Sequence, residues 1–185
     1  MPHQLTGFTP TLMQKYLRNE LIKYAVVMVL VLMMFFIFSS TGIYEQLIQQ
    51  PISSLFAKSS ALLLNLFGYD SWAEDMNIHC GDAVVSISKG CDAIAPIFLS
   101  ALAIALFPKV RMRNKIKGIL FVVLVLAILN LVRILSLVFS QLYYPEIFDF
   151  LHIEFWQFIF LVSSGVLFIH WLIRNTKYDS AKVQL

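Results

Sequence analysis

The chain has 185 residues, of which 59% are hydrophobic and only 14% carry a charge. Its mean hydropathy is +0.77, whereas a soluble globular domain carries about 25% charged residues. This composition excludes an ordinary soluble domain, and the net charge of +3 is too small to indicate a nucleic-acid partner. We therefore expect one all-α integral membrane domain over residues 1–185, with the lipid bilayer as its surroundings.

Four apolar segments have the composition of transmembrane helices, which need about 20 residues to cross a bilayer. They are Leu21–Phe38, Cys91–Phe107, Ile119–Leu142 and Phe155–Ile173. The second is short, so we expect it to tilt little or to lie in a thinned bilayer. The first could also be read as a cleaved secretory signal. It is longer than the usual apolar core of about 7–15 residues, which favours an uncleaved anchor.

Basic residues predict the orientation of this bundle. They precede the first span, fill the loop between the second and third, and follow the fourth: Lys15, Arg18, Lys23, Lys109, Arg111, Arg113, Lys115, Lys117, Arg174 and Lys177. Because positively charged loops stay in the cytoplasm, we expect residues 1–20 and 174–185 to be cytoplasmic. The insertion 43–90 and the loop 143–154 then lie on the outer side of the cytoplasmic (inner) membrane of a prokaryote.

The insertion 43–90 contains two interpretable segments. Ile52–Phe67 is apolar but holds Lys58 and several serines, which indicates an amphipathic helix on the outer surface rather than a fifth span. Residues 77–88 alternate weakly and include a turn sequence, Gly81-Asp82, so we expect a small β-hairpin leading into Cys91. The predicted fold is a bundle of about four transmembrane helices with these two additions.

Arg133 lies inside the third span with apolar residues on both sides. An arginine at mid-span costs about 2.5–3.5 kcal/mol on insertion scales. A rise of ~1.5 Å per residue puts it roughly 20 Å from the cytoplasmic boundary, towards the outer face. Asn130 lies one turn below on the same face, so both side chains should point into the bundle. A snorkelling arginine and a buried ion pair with Asp92 are the structural alternatives.

Cys91 begins the predicted second span and His152 precedes the fourth, so both share the outer level with Arg133. A thiol becomes nucleophilic as a thiolate, and an imidazole, a cation or a helix N-terminus lowers its pKa. We interpret Cys91 as a nucleophile, His152 as a proton shuttle and Arg133 as the group that stabilises an oxyanion. Together they predict an acyl-transfer site.

Other interpretations of these polar residues remain open. Cys91 could form a disulfide with Cys80, since the outer compartment can be oxidising, and this would silence the nucleophile. Both cysteines with His79 and Asp82 match no zinc spacing, so we expect no metal and no cofactor. A small channel is disfavoured, because one intramembrane arginine without further polar lining makes a poor pathway.

Motifs in residues 84–174 resemble those of a known family. They are Ser88-Lys89-Gly90-Cys91, an apolar span ending in Phe107-Pro108, Leu129-Asn130-Leu131-Val132-Arg133-Ile134 after a basic loop, and Phe150-Leu151-His152 before Trp156-Gln157. In order, spacing and topology, the chain resembles the exosortase/archaeosortase family of membrane transpeptidases, most of all the exosortase H subgroup. The resemblance implies an active site of Cys91, Arg133 and His152. From their positions in this sequence, we expect Asn130 and Asp92 to support that site.

The resemblance also implies the partners. They are membrane-anchored, exported proteins whose C-terminal sorting signal combines a short motif, a transmembrane helix and a basic cluster. The enzyme would cleave at the motif and pass the new C-terminus to a cell-surface acceptor, with hydrolysis as the fallback. A non-catalytic assembly scaffold of the same fold is the alternative function. The sequence does not give the recognition motif, the acceptor or the oligomeric state.

One departure from the family pattern lies next to the nucleophile. The family usually has Cys followed by Ser or Asn and then Gly, whereas this chain has Cys91-Asp92-Ala93. The missing glycine predicts an altered turn. The added carboxylate predicts either a raised pKa of the thiol or a pairing of Asp92 with Arg133.

Overall fold

The structure, a computed structural model, describes the backbone of residues 10–108 and 110–182 and the side chains of 19, 21–108 and 110–175. Residues 1–9 and 183–185 of the predicted cytoplasmic ends, Lys109, and the side chains of Lys15, Arg18 and Lys177 lie outside the described residues. The described chain is mostly α-helical with one small sheet, which confirms the predicted fold class.

Three helical stretches are long and apolar enough to cross a bilayer. α1 (Pro10–Phe38) contains the first, Leu21–Phe38, and α5 (Met112–Tyr143) is the second. The third, Pro145–Asn175, leads through short 3₁₀ and π-helical segments into α6 (Trp156–Lys182). The predicted first, third and fourth spans are confirmed as helices of this kind.

The predicted second span is shorter than expected. α4 is Ile94–Leu106, 13 residues, and a helix of that length extends about 20 Å, less than the roughly 30 Å of a hydrocarbon core. The helix does not begin at Cys91, because Ala93 adopts a left-handed conformation with φ +55° and is the N-cap residue. Cys91 therefore lies in the loop before α4, which corrects the prediction that it sits at the helix N-terminus.

α4, α5 and α6 form the core of the bundle, and α1 lies at its edge. Tyr24 of α1 donates its hydroxyl to the carbonyl of Ala103 at 3.1 Å, and Phe35 stacks on Phe98 with ring centroids 4.1 Å apart. The apolar stretch of α1 is otherwise exposed, with Ile37 at 72%. Lipid contact would cover such a surface.

A cap of helix and sheet joins α1 to α4. α2 (Gly42–Tyr44), a π-helical segment (Glu45–Gln49) and α3 (Gln50–Leu66) follow without a break. α3 turns Ser53, Ala57 and Leu64 inward and leaves apolar side chains such as Leu55 and Leu62 exposed. The helix predicted at Ile52–Phe67 is thus confirmed.

Three antiparallel strands complete the cap in the order β1 (Ser71–Glu74), β2 (Asn77–Cys80) and β3 (Ala83–Ser86). The predicted hairpin is confirmed as β2–β3, with Gly81 at φ +54° in its turn. β1 was not predicted. Its turn to β2 contains Asp75 at φ +51°, a conformation that a short polar side chain tolerates.

The sheet fixes the position of the loop of residues 87–93 next to the helix bundle. Ile87 extends the ladder by donating its amide to the carbonyl of Met76 at 2.9 Å, and its side chain is buried with Ile78 of β2. The Lys89 ammonium donates to the carbonyl of Ser39, at the end of α1, at 2.6 Å. The segment that leads into Cys91 is therefore held from both sides.

Candidate active site

Three side chains from separate segments meet just before α4. The Cys91 Sγ lies 2.7 Å from the Nε2 of His152, and the Nη2 of Arg133 lies 3.3 Å from the same sulfur. Cys91 and Arg133 are each only 3% exposed. The structure thus brings together the three residues that the sequence singled out, at the junction between the cap and the bundle.

The loop that carries the thiol is a tight turn. Gly90 adopts φ +96°, a conformation that glycine reaches without steric cost, and the Cys91 amide donates to the carbonyl of Ser88 at 2.9 Å. The Gly90 carbonyl faces the bundle, where it accepts a hydrogen bond from Arg133 Nη1 at 2.9 Å. The sequence motif contained this glycine, but its role as an acceptor was not predicted.

Arg133 is held by carbonyl oxygens rather than by a carboxylate. Besides the Gly90 carbonyl, its Nη2 donates to the backbone carbonyl of His152 at 3.2 Å, and its Cζ lies 5.6 Å from the ring centroid of Phe160. No salt bridge joins it to Asp92, although both side chains are described. The buried guanidinium also excludes the snorkelling alternative, so its charge remains directed at the sulfur.

His152 lies in a π-helical segment, Phe150–Phe155, that precedes α6. Such segments widen the helix by one residue per turn and are frequent at functional sites. The Phe148 ring lies 5.6 Å from the imidazole between centroids. His152 precedes α6, although the apolar helical stretch Pro145–Asn175 includes it. The local helix type was not foreseeable from apolar periodicity.

A side-chain relay connects α5 to the start of α6 beside the cluster. The indole Nε1 of Trp156 donates to the Ser136 hydroxyl at 2.9 Å, and that hydroxyl donates to the carbonyl of Arg133 at 2.7 Å. This relay fixes Trp156, four residues after His152, against the turn that carries Arg133. The sequence contains only a weak indication of this relay, namely Ser136 three residues after Arg133.

Asp92 is buried, with 3% exposure, and its Oδ1 accepts a hydrogen bond from the amide of Ile94 at 3.1 Å. The carboxylate thereby accepts from the first amide of α4, one of the helix-start amides that lack a partner within the helix. Its Oδ2 has no partner among the described residues. Burial raises the pKa of Asp92 above its usual range, while the amide hydrogen bond and the nearby Arg133 partly oppose this rise.

Burial also raises the pKa of the Cys91 thiol above its ordinary value. The positive charge of Arg133 opposes this rise, and the negative charge of Asp92 adds to it. A raised pKa means that the neutral thiol predominates at neutral pH. The Nε2 of His152, 2.7 Å from the sulfur, lies within hydrogen-bond distance of this thiol.

The remaining candidate residues do not join this cluster. Cys80 is buried in β2, and both cysteines are free, so the disulfide alternative is not observed. His79 stacks on Trp72 with centroids 5.0 Å apart. Among the described side chains, no group of three His, Cys, Asp or Glu residues is placed to hold a metal ion. Asn130 is fully buried below Arg133, and its amide has no partner among the described residues.

Comparison with known proteins agrees with this architecture. The family model described as "Transmembrane exosortase (Exosortase_EpsH)" matches residues 17–169, well over half of the chain, and this range contains the whole Cys91, Arg133 and His152 cluster. No curated protein and no solved structure matches the chain. The chain belongs to the transmembrane exosortase family.

Proposed function

We propose that this protein is an intramembrane cysteine transpeptidase in which Cys91 is the nucleophile, His152 the proton shuttle and Arg133 the cation that stabilises developing negative charge. The observation that carries the proposal is the geometry at the sulfur. The Cys91 Sγ has an imidazole nitrogen at 2.7 Å and a guanidinium nitrogen at 3.3 Å. This is the nucleophile, base and charge-stabilising arrangement that acyl transfer requires.

In the first half-reaction, the Cys91 sulfur attacks the carbonyl carbon of the scissile peptide bond while His152 Nε2 takes the thiol proton. Negative charge moves to the carbonyl oxygen, and Arg133 stabilises the charge on the sulfur and then on this oxygen. The intermediate collapses when the C–N bond breaks. His152 returns its proton to the leaving amine, and the substrate acyl group remains on Cys91 as a thioester.

In the second half-reaction, an amine or hydroxyl of the acceptor attacks the thioester carbon. His152 removes the acceptor proton, and the carbonyl oxygen becomes an oxyanion beside Arg133 for a second time. Breaking the C–S bond releases the transferred product, and the proton on His152 returns to the sulfur. Water in place of the acceptor would give hydrolysis. Asn130 is one turn below Arg133, and we assign it a supporting role in positioning that arginine.

The proposed substrates are exported proteins that end in a short motif, a transmembrane helix and a basic cluster. The proposed setting is the cytoplasmic membrane of a prokaryote, with residues 1–185 acting as one domain. The basic side chains near the start of α5 and the end of α6 support cytoplasmic termini. The thiol then faces the outer side, where an exported protein and a cell-surface acceptor can both reach it.

A non-catalytic scaffold has no specific observation in its favour. That alternative depends on a structural ion pair between Arg133 and Asp92 or on a Cys80–Cys91 disulfide. Arg133 instead contacts the reactive sulfur, and both thiols are free.

Processing of a co-expressed, tagged sorting-signal substrate tests the proposal. Cys91→Ala should abolish release of the membrane anchor, and Arg133→Gln and His152→Ala should each reduce it severely. Cys80→Ala is the matched control, because it removes the other buried thiol of the chain and leaves the cluster intact. Unchanged processing by the Cys91→Ala protein would refute the proposed nucleophile.

A further inference from the structure

At the opposite end of the bundle, α5, the residue before it and α6 line a half-open cavity of about 510 Å³. Lys117 on its wall and Arg133 belong to the same helix, and the 1.5 Å rise per residue separates their backbones by about 24 Å. The cavity is therefore independent of the site around Cys91. Its volume falls in the range of small-molecule pockets, roughly 300–1,000 Å³.

The wall of this cavity is rigid where the two helices touch. Trp171 of α6 is buried, and its indole Nε1 donates to the carbonyl of Asn114 at 3.2 Å. A Cβ added at Gly118 would overlap the same indole ring, so only a glycine allows the approach. This close helix contact therefore forms one well-packed wall of a cavity that is otherwise half-open.

Four cationic side chains line the cavity: Arg111, Arg113, Lys117 and Arg174. All four residues are exposed. Among the side chains that the structure describes, no carboxylate lies within salt-bridge distance of any of them. The start of α5 at Met112 adds the positive end of a helix dipole. Like charges gathered without a counterion favour binding of an anion.

The cavity also borders the apolar belt of the bundle. On the side of the cavity that faces the active-site end, the exposed residues are apolar. They are Leu120 and Leu124 of α5 and Ile169 and Val166 of α6. Phe121 belongs to both features, since it lines the cavity and is 47% exposed. A ligand that fits both parts has an anionic head and apolar chains.

We propose that this cavity binds the phosphate headgroup of an anionic phospholipid, with the acyl chains lying along α5 and α6 above it. Basic pockets between transmembrane helices bind such headgroups. A free phosphate ion would use the cations but not the adjoining apolar surface. An acidic peptide would leave that surface uncovered as well, so a lipid fits more of the observed features.

Lipid retention by the purified full-length chain tests the proposal. The protein is exchanged into nanodiscs that contain either pure phosphatidylcholine or a mixture with phosphatidylglycerol, then extracted in mild detergent, and the retained lipid is measured by native mass spectrometry. We expect selective retention of phosphatidylglycerol. Since each cation near an anionic lipid surface contributes about fivefold in affinity, the triple variant Arg113→Gln, Lys117→Gln, Arg174→Gln should lose on the order of 100-fold.

Single variants provide a matched control. Lys117→Gln should weaken phosphatidylglycerol retention about fivefold, whereas Lys58→Gln, which removes an exposed lysine from α3, should leave it unchanged. Modification of the Cys91 thiol should proceed at the same rate in the triple variant, which shows that the fold is intact. Equal retention of both lipids would overturn the proposal, and so would undiminished retention by the triple variant. The proposal would also fail if inorganic phosphate alone occupied the cavity as well as phosphatidylglycerol does.

Discussion

Replacing Gly90 with alanine is expected to damage the site more than the fold. Gly90 adopts φ +96°, and a Cβ there would meet no atom within 4 Å. The cost to stability is therefore conformational only, about 1–2 kcal/mol for an L-residue in a left-handed conformation. In the unmodified protein, the Gly90 carbonyl accepts a hydrogen bond from Arg133 Nη1 at 2.9 Å. If the backbone relaxes to relieve the strain, this carbonyl rotates away from Arg133.

That lost contact has a chemical consequence. A hydrogen bond to a charged group contributes about 1.5–3 kcal/mol, which corresponds to tenfold or more in an equilibrium. Arg133 lowers the pKa of the Cys91 thiol, so a displaced guanidinium leaves that pKa higher and the thiolate fraction at neutral pH smaller. Alkylation of Cys91 by iodoacetamide, measured in a Cys80→Ala background, should slow about tenfold in Gly90→Ala.

Gly68→Ala is the matched control for this experiment. Gly68 has φ +87° and also has nothing within 4 Å of an added Cβ, so both substitutions should lower thermal stability by a similar amount. Only Gly90 contacts the guanidinium. If both variants lose stability equally but Gly90→Ala alkylates at the unchanged rate, then the Gly90 carbonyl does not position Arg133 and the reasoning fails.

Two further predictions follow from charge and from packing. Asp92→Asn should lower the pKa of the Cys91 thiol, because the carboxylate raises it, so the pH profile of alkylation should shift to lower pH; a shift to higher pH would contradict this. The asparagine keeps an oxygen to cap α4, so the fold should be retained. Gly118→Ala should destabilise the fold by about 1–3 kcal/mol, because its Cβ would overlap Trp171. Gly165→Ala is the control, because its Cβ meets nothing within 4 Å, and it should stabilise the fold by about 0.5–1 kcal/mol. Thermal or denaturant unfolding measures both effects. If the two variants lost equal stability, the packing argument would be refuted.

Apolar length and composition were enough to predict most of the fold. In lipid, every backbone polar group needs a hydrogen-bond partner within the protein. A single apolar stretch such as Leu21–Phe38 meets this requirement by forming a helix. The same reasoning failed at the start of α4. Beyond Asp92, the residues after Cys91 are apolar and predict a span that begins at the cysteine, but the left-handed Ala93 delays the helix to Ile94. That conformation has no signature in a hydropathy pattern.

The convergence of the site was predictable for a related reason. A buried arginine is costly unless it meets polar partners, so Arg133 had to point towards the polar ends of neighbouring segments. Helical rise then placed it near the level of Cys91 and His152. The partners themselves were not predictable, because they are backbone carbonyls of Gly90 and His152. Carbonyls are present at every residue, so their use depends on local geometry that the sequence does not specify.

The segment Cys91-Asp92-Ala93, which departs from the pattern that the resemblance led us to expect, combines a strained residue with a stabilising contact. Ala93 occupies the position where the family usually has glycine, and its φ of +55° is the conformation that glycine favours. Ala93 is therefore held in a left-handed conformation that is strained for an L-residue. Asp92 supplies a compensating contact, since its Oδ1 holds the amide of Ile94. The same carboxylate raises the pKa of Cys91, so in the proposed mechanism the residue that stabilises the turn also makes the thiol more dependent on His152 for removal of its proton.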